Sequence, residues 1–257
     1  LAALLIGLFD LTWILLIDVA GALLGSLSLL LVRIPDPERK DRVRPHLLKE
    51  IHEGLMEIYS KQGLLWIFIL SVTAHFFIMP VAAMFPLMTL QHFSGTALQM
   101  SIVEIAWGIG MLVGGAIMGY KSLGNFKITI INLMYLILGL TFVFSGLLPV
   151  TGFVYFAAVT AIGGITMTLY SGSFTVVVQT MVTPAALGRV FSMYTSIVLF
   201  PSMAGLLATG FIADNIGIAR AFIISGCAIA LMGFGAFFVP PLRMLVREEI
   251  KKHRERD

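Results

Sequence analysis

The sequence predicts an all-α integral membrane protein of about seven transmembrane helices, and three observations carry that expectation. Hydrophobic residues make up 58% of the 257 and charged residues only 12%, whereas a soluble domain carries about 25% charged. Mean hydropathy is +0.97, so a surface with this few charges needs lipid to cover it. Apolar runs recur at roughly the 20-residue length that crosses about 30 Å of hydrocarbon, and every second break between them gathers lysine and arginine.

The chain opens on the apolar stretch Leu1–Phe9. It has neither the basic start nor the small-residue cleavage site of a secretory signal. Beginning without methionine, it is expected to be the tail of a helix that starts earlier in a longer chain. The expected spans then follow at Leu11–Val32, Leu64–Leu90, Ala97–Tyr120, Ile128–Leu148, Phe153–Met181, Val190–Ala213 and Ala221–Val239. Turn chemistry separates them, as in Phe93-Ser94-Gly95, Leu123-Gly124-Asn125, Pro149-Val150-Thr151-Gly152, Thr183-Pro184 and Asn215-Ile216-Gly217. Runs this long and uniformly apolar exclude the short alternating strands of a membrane barrel.

Counting each run as one crossing puts 16 of the 17 basic residues on one side, with Arg220 alone on the other. Basic loops face the cytoplasm, so the stretch from Arg33 to Gln62 and the tail from Arg243 are expected there. The domain reading is therefore 1–33 for a helix end and one full span, 34–62 for a cytoplasmic linker, 63–242 for a six-helix bundle and 243–257 for a basic tail. Within the linker, Leu47, Leu48, Ile51, Leu55, Ile58 and Tyr59 recur at helical spacing opposite Lys49, Glu50, Glu53, Glu57 and Lys61, which reads as an amphipathic helix lying along the membrane or against cytoplasmic helix ends. The tail mixes its lysines and arginines with Glu248, Glu249 and Glu255. It reads as a helix end near anionic headgroups, not as a nucleic-acid surface.

Several function classes drop out. The single cysteine, Cys227, sits in an apolar run and supports no disulfide framework. No His, Cys, Asp and Glu set has metal-ligand spacing, no glycine-rich phosphate loop is present, and no nucleophile–base arrangement points to an enzyme. No cofactor is expected.

An ionisable group inside a span costs several kcal/mol, so it calls for a function or a partner. Two acids lie well inside spans, Asp18 and Glu104. Glu104 shares a helical face with Trp107, Gly108 and Met111, as a protonatable carboxylate that lines a cavity would. Asp18, beside Gly21 and Gly25, fits a helix-packing or interfacial place. His75 is the one histidine within a span, four residues before Met79. Its readings are a proton relay or ligand, and a neutral ring bonded to a neighbouring helix. Thr166, Tyr170 and Ser173 form a polar stripe on the fifth span and Tyr194 begins another on the sixth. Gly110/Gly114, Gly115/Gly119 and Gly205/Thr209 have the small-xxx-small spacing of close helix contact. Gly163-Gly164, Pro80, Pro86 and Pro201 mark places where helices can bend.

The sequence also resembles the C-terminal half of a major facilitator superfamily transporter, in the macrolide-efflux and siderophore-export branch of drug–proton antiporters. The stretches that carry the resemblance are Leu15-Leu16-Ile17-Asp18-Val19-Ala20 with Leu31-Val32-Arg33-Ile34-Pro35, Glu53-Gly54-Leu55 with Gly63-Leu64-Leu65, Gly108-Ile109-Gly110-Met111-Leu112-Val113-Gly114-Gly115, and Leu187-Gly188-Arg189-Val190-Phe191-Ser192. The loop Gly115–Lys127 keeps Gly115, Gly119, Gly124 and Lys127 but has no acid, which departs from the charge-relay loop of the superfamily. The resemblance implies a C-terminal six-helix bundle plus the preceding helix, and an N-terminal half of the same chain beyond Leu1. It further implies a multi-pass plasma (inner) membrane protein that exports hydrophobic or amphipathic small molecules in exchange for protons. Glu104, His75, Trp107, Tyr170 and Tyr194 are then the candidates for proton coupling or substrate binding, and Gly110, Gly114, Gly115, Gly119 and Arg189 for gating or packing. The alternatives within this reading are an uptake or other solute porter of the same fold, and a membrane interaction subunit that transports nothing.

Overall fold

The computed structural model describes residues 11–31, 54–120 and 126–254. The expected helix tail at Leu1–Phe9, the linker up to Glu53 and the loop glycine Gly124 lie outside the described residues. The chain divides into two compact units, 1–46 and 47–257. In the first unit, the expected first span is the 21-residue helix α1, Leu11–Leu31. At 1.5 Å per residue it is about 31 Å long, and it includes Asp18.

The second unit is a helical bundle. A short helical stretch at residues 54–59 leads into α2 (Gln62–Leu87), which continues through a wider turn at Met88–His92. Then come α3 (Ala97–Tyr120), α4 (Lys127–Leu147), α5 (Phe153–Met181), α6 (Leu187–Asn215, entered through one tight turn at Pro184–Ala186), α7 (Ile218–Ala236) and α8 (Pro240–Arg254). Helices α2 to α7 are each long and apolar enough to cross a bilayer. Exposed Leu112, Phe200, Leu207 and Phe211 would be untenable in water in such numbers. The chain is an all-α, multi-pass membrane protein.

With no water to squeeze out, helices in lipid associate through close packing, and small residues permit it. The most extensive seam joins α4 to α7. The two helices run antiparallel, so Gly139 on α4 packs on Gly226 and Ala230 of α7, Gly146 packs on Ala219 and Ile223, and Gly233 of α7 packs on Asn132 and Leu136 of α4. The two glycines of each helix stand seven residues apart. A Cβ on Gly139 would strike the backbone of Gly226 and Ala230, and one on Gly226 would strike the backbone of Gly139 and Val143. A second seam joins α3 to α5, where Gly110 lies on the Ala161 carbonyl and Gly114 on the Ile165 carbonyl. Gly205 on α6 meets the Phe76 carbonyl of α2. Among the described residues, nothing stands within 4 Å of the place a Cβ would take on Gly115 or Gly119.

One end of this bundle collects the basic residues. Glu57 Oε1 and Lys61 Nζ pair at 2.7 Å, and Lys61 also donates to the Met181 carbonyl at the end of α5. The Lys61 ammonium bonded to it, and the Thr183 amide, hold the Glu57 carboxyl below the usual carboxylate range. Of the amphipathic pattern, Ile58 is buried and Leu55 packs on the core, while Tyr59 is 62% exposed. Tyr59 therefore sits at the edge of the apolar face.

At the same end, α8 supplies a cap to α4. Glu249 Oε1 accepts the Ile128 amide at 3.0 Å, one of the donors that the first turn of a helix leaves without a partner. Burial pushes the Glu249 carboxyl up despite these amides. A carboxyl raised in the folded protein gives its full support below the ordinary carboxylate range and loses it as pH rises through the raised value. Glu249→Ala should therefore loosen α8 most at acid pH, where the protonated carboxyl gives its full support, at about 1 kcal/mol for a lost cap. Glu249→Gln keeps the acceptor without a buried charge and should hold α8 at least as firmly at neutral pH. Amide hydrogen exchange along α8 in the full-length protein reads this, and equal exchange in wild type and the alanine variant would dismiss the cap.

Candidate functional site

Two neighbouring features of the bundle hold the sequence-predicted residues. The first is a cavity of about 380 Å³ whose walls include Met79 and Phe85 from α2, Glu104 and Trp107 from α3, and Phe142 from α4. Phe85 organises it. Its ring stands edge-on to Trp107 at 6.1 Å, Phe142 at 6.1 Å and Phe222 at 5.3 Å, and stacks on Phe156 at 5.6 Å. Such pairs add to the energy of burial and fix ring orientation.

Trp107 is held from behind by glycine. A Cβ on Gly163 would touch Trp107 Cζ3 at 2.9 Å, and one on Gly164 would run into the Trp107 carbonyl. The glycine pair, which the sequence marks as a possible bend, admits the ring at Gly163 and the α3 backbone at Gly164 within an unbroken 29-residue α5. Glu104 is exposed and stands three residues from Trp107, so its carboxylate edges a wall of aromatic rings with Met79, Met100 and Met167. Methionine and aromatic surfaces adapt to varied apolar shapes, and aromatic faces attract cations. Such a cavity suits an amphipathic ligand with a positive end.

The second feature is a buried hydroxyl cluster. Ser71 Oγ lies 2.5 Å from the hydroxyls of both Tyr170 and Tyr194, which are 3.5 Å from each other. Phe68 and Phe174 enclose Tyr194 at ring distances of 5.1 and 4.6 Å. His75 is buried, and its Nδ1–H donates to the Ser71 carbonyl at 2.8 Å, which fixes the tautomer of a neutral ring and leaves Nε2 as its acceptor. Its ring is 6.5 Å from that of Tyr170. Ser71, His75 and Met79 step along α2 at four-residue intervals and so run from the cluster to the cavity wall.

Glu104 and Trp107 thus come together in one place, and His75, Tyr170 and Tyr194 in the other. Thr166 and Ser173 are buried beside Tyr170 on α5. Gly110 and Gly114 lie in the α3–α5 seam. Arg189 stands at the basic end, where its guanidinium donates to the Ala185 carbonyl at 3.4 Å. Sequence reasoning missed Ser71, the hub of the cluster, and Tyr135, whose ring is 4.6 Å from that of Tyr170. Ser71 stands four residues before His75 and Tyr135 three after Asn132, and these polar pairs at helical spacing inside apolar runs were the available signal. Among the described residues no group of three or more His, Cys, Asp or Glu could hold a metal ion.

A bundle of six long apolar helices with a cavity edged by one carboxylate is an architecture that membrane transporters use. The sequence bears this out: residues 1–198 match the Major Facilitator Superfamily, and the chain belongs to that family. Its relatives include Macrolide efflux protein A of Streptococcus pyogenes, 34% identical over 95% of this chain and 60% of the relative. Macrolide efflux protein A of Enterococcus faecalis is 36% identical over 80% of this chain and 64% of the relative. An uncharacterized MFS-type transporter of Bacillus subtilis is 27% identical over 72% of this chain and 45% of the relative. The chain thus spans under two thirds of the length of these relatives. No solved structure matches it.

Proposed function

We propose that this chain forms one wall and half the helices of a secondary transporter that exports hydrophobic or amphipathic small molecules, cationic ones above all, in exchange for protons. The observation that carries the reading is the cavity of Phe85, Trp107, Phe142 and methionines with Glu104 as its charged edge. An aromatic box provides affinity for many apolar shapes, and a carboxylate within a span provides a counter-charge that a proton can replace. The relatives named for macrolide efflux support the same class of cargo. We assign the facing wall of the cavity to sequence outside this chain, since such transporters rock two halves about a site near the bilayer midplane. The basic end of the bundle, with α8, belongs on the cytoplasmic side of the plasma (inner) membrane by the distribution of lysine and arginine. The reading is of a transporter, not an enzyme.

The test is transport by the full-length protein in vesicles whose orientation is set by labelling a cysteine placed at Lys49. With the cytoplasmic face outward and the lumen acidic, a macrolide and a lipophilic cationic dye should accumulate inside, and a protonophore should collapse that accumulation. Accumulation indifferent to the protonophore would remove proton exchange, and accumulation only in the opposite orientation would make the protein an uptake system.

A further inference from the structure

Among the described residues, the buried side-chain polar atoms without a hydrogen-bond partner are Asn132 Nδ2 and Oδ1, the Tyr135 hydroxyl, Ser173 Oγ and Glu249 Oε2. Buried polar groups are nearly always paired, so each exception needs an explanation. These exceptions are not scattered. Glu249 caps α4 at Ile128, and Ile128, Asn132 and Tyr135 follow at four and then three residues on the buried face of that helix. On α5, which runs antiparallel, Ser173 is one turn beyond Tyr170 toward the same basic end. Asn132 and Ser173 are therefore both displaced in one direction from the Tyr135–Tyr170 ring contact. Tyr135 lies beside the cluster, its ring 4.6 Å from that of Tyr170, and its hydroxyl has no hydrogen-bond partner among the described residues. The stripe thus leads from the α8 carboxylate to the Ser71–Tyr170–Tyr194 cluster, apart from the aromatic cavity.

We propose that this stripe is a binding site for a short file of water molecules, held by Glu249, Asn132, Ser173 and Tyr135, that joins the basic end of the bundle to the hydroxyl cluster. The dimensions fit. Ile128 to Tyr135 spans about 10 Å of helix, which about three waters bridge at their usual separation of about 2.8 Å. The donor set fits as well, because amide, hydroxyl and carboxylate offer both donors and acceptors, and a buried water needs two to four of them. An apolar ligand has nothing to gain here. A metal ion would find Glu249 as the only carboxylate of the stripe, at its far end. The file gives the six-helix unit an internal polar route of its own, independent of whether Glu104 binds cargo.

X-ray radiolytic footprinting of the full-length protein tests this, because hydroxyl radicals formed from bound water modify the side chains that hold it. Tyr135 is 1% exposed and Tyr59 62% exposed, so in a dry stripe only Tyr59 should react. The file predicts modification of Tyr135 at a rate comparable to Tyr59. It also predicts that Ser173→Ala lowers the Tyr135 rate severalfold while Tyr59 is unchanged, with Asn132→Leu doing the same where it folds. An unmodified Tyr135 in wild type beside a reactive Tyr59 would overturn the proposal. So would a rise in melting temperature in Asn132→Leu, since removing a polar group that has no partner relieves its cost.

Discussion

Glu104→Gln in the full-length transporter is expected to spare folding and to cripple the handling of cationic cargo. The side chain is exposed at the cavity edge and makes none of the seams that hold the bundle, and glutamine keeps its size and hydrogen-bonding reach. What disappears is the negative charge. A hydrogen bond to a charged group is worth about 1.5–3 kcal/mol, which is roughly ten- to hundredfold in affinity. A lipophilic amine should lose that much, while a neutral compound of similar shape, held by Phe85, Trp107 and Phe142, should bind almost as before. If the same carboxylate trades protons with cargo, the pH dependence of export should flatten in parallel. Paired transport and binding assays on a cationic and a neutral substrate measure both effects. Equal binding of the cation by wild type and variant, with an unchanged pH profile, would reduce Glu104 to a bystander and place coupling elsewhere.

Gly139→Leu is expected to be strongly destructive, because it wedges open the most extensive seam of the bundle. The atoms that a Cβ would meet belong to the backbone of α7, so no side chain can rotate away, and α4 and α7 must separate along their length. Overpacking typically costs about 1–3 kcal/mol, and a contact with backbone belongs at the upper end of that range. Gly226→Leu should behave alike, since the collision is reciprocal. Gly115→Ala and Gly119→Ala meet nothing within 4 Å and should leave stability as it is. Thermal unfolding of the full-length protein, followed by size exclusion, separates the two groups of variants. A Gly139→Leu protein that melts with wild type would mean that the seam is not closed in the membrane.

Hydropathy made the spans legible. Ala97–Tyr120 and Phe153–Met181 coincide with α3 and α5. The ends of the others drift by a few residues because helices run past the hydrocarbon: α6 continues through polar Asp214 and Asn215, and α2 begins at Gln62. The pairing of helices was less accessible. The expected four-residue glycine spacing describes the α3–α5 contact at Gly110 and Gly114. The α4–α7 seam instead uses glycines seven residues apart on each helix, Gly139 and Gly146 on α4 and Gly226 and Gly233 on α7, a spacing with no motif to draw the eye. Glu104 with Trp107 could be read from one helix because their relation is local. The Ser71–Tyr170–Tyr194 cluster brings together α2, α5 and α6, and no periodicity within a single run encodes which runs will meet.

Trp107 belongs to two structures at once. Its ring is a wall of the cavity and also the filler of the notch left by Gly163. A smaller residue there enlarges the cavity and in the same stroke empties the α3–α5 contact, so a gain in cargo range comes with a loss of stability. Met79 and Met100 fill no such notch, and their flexible side chains tolerate exchange for other apolar residues of similar volume. If the cavity holds cargo as proposed, exchange at these methionines reshapes it at a smaller cost to the bundle than exchange at Trp107, which becomes the fixed point around which they vary.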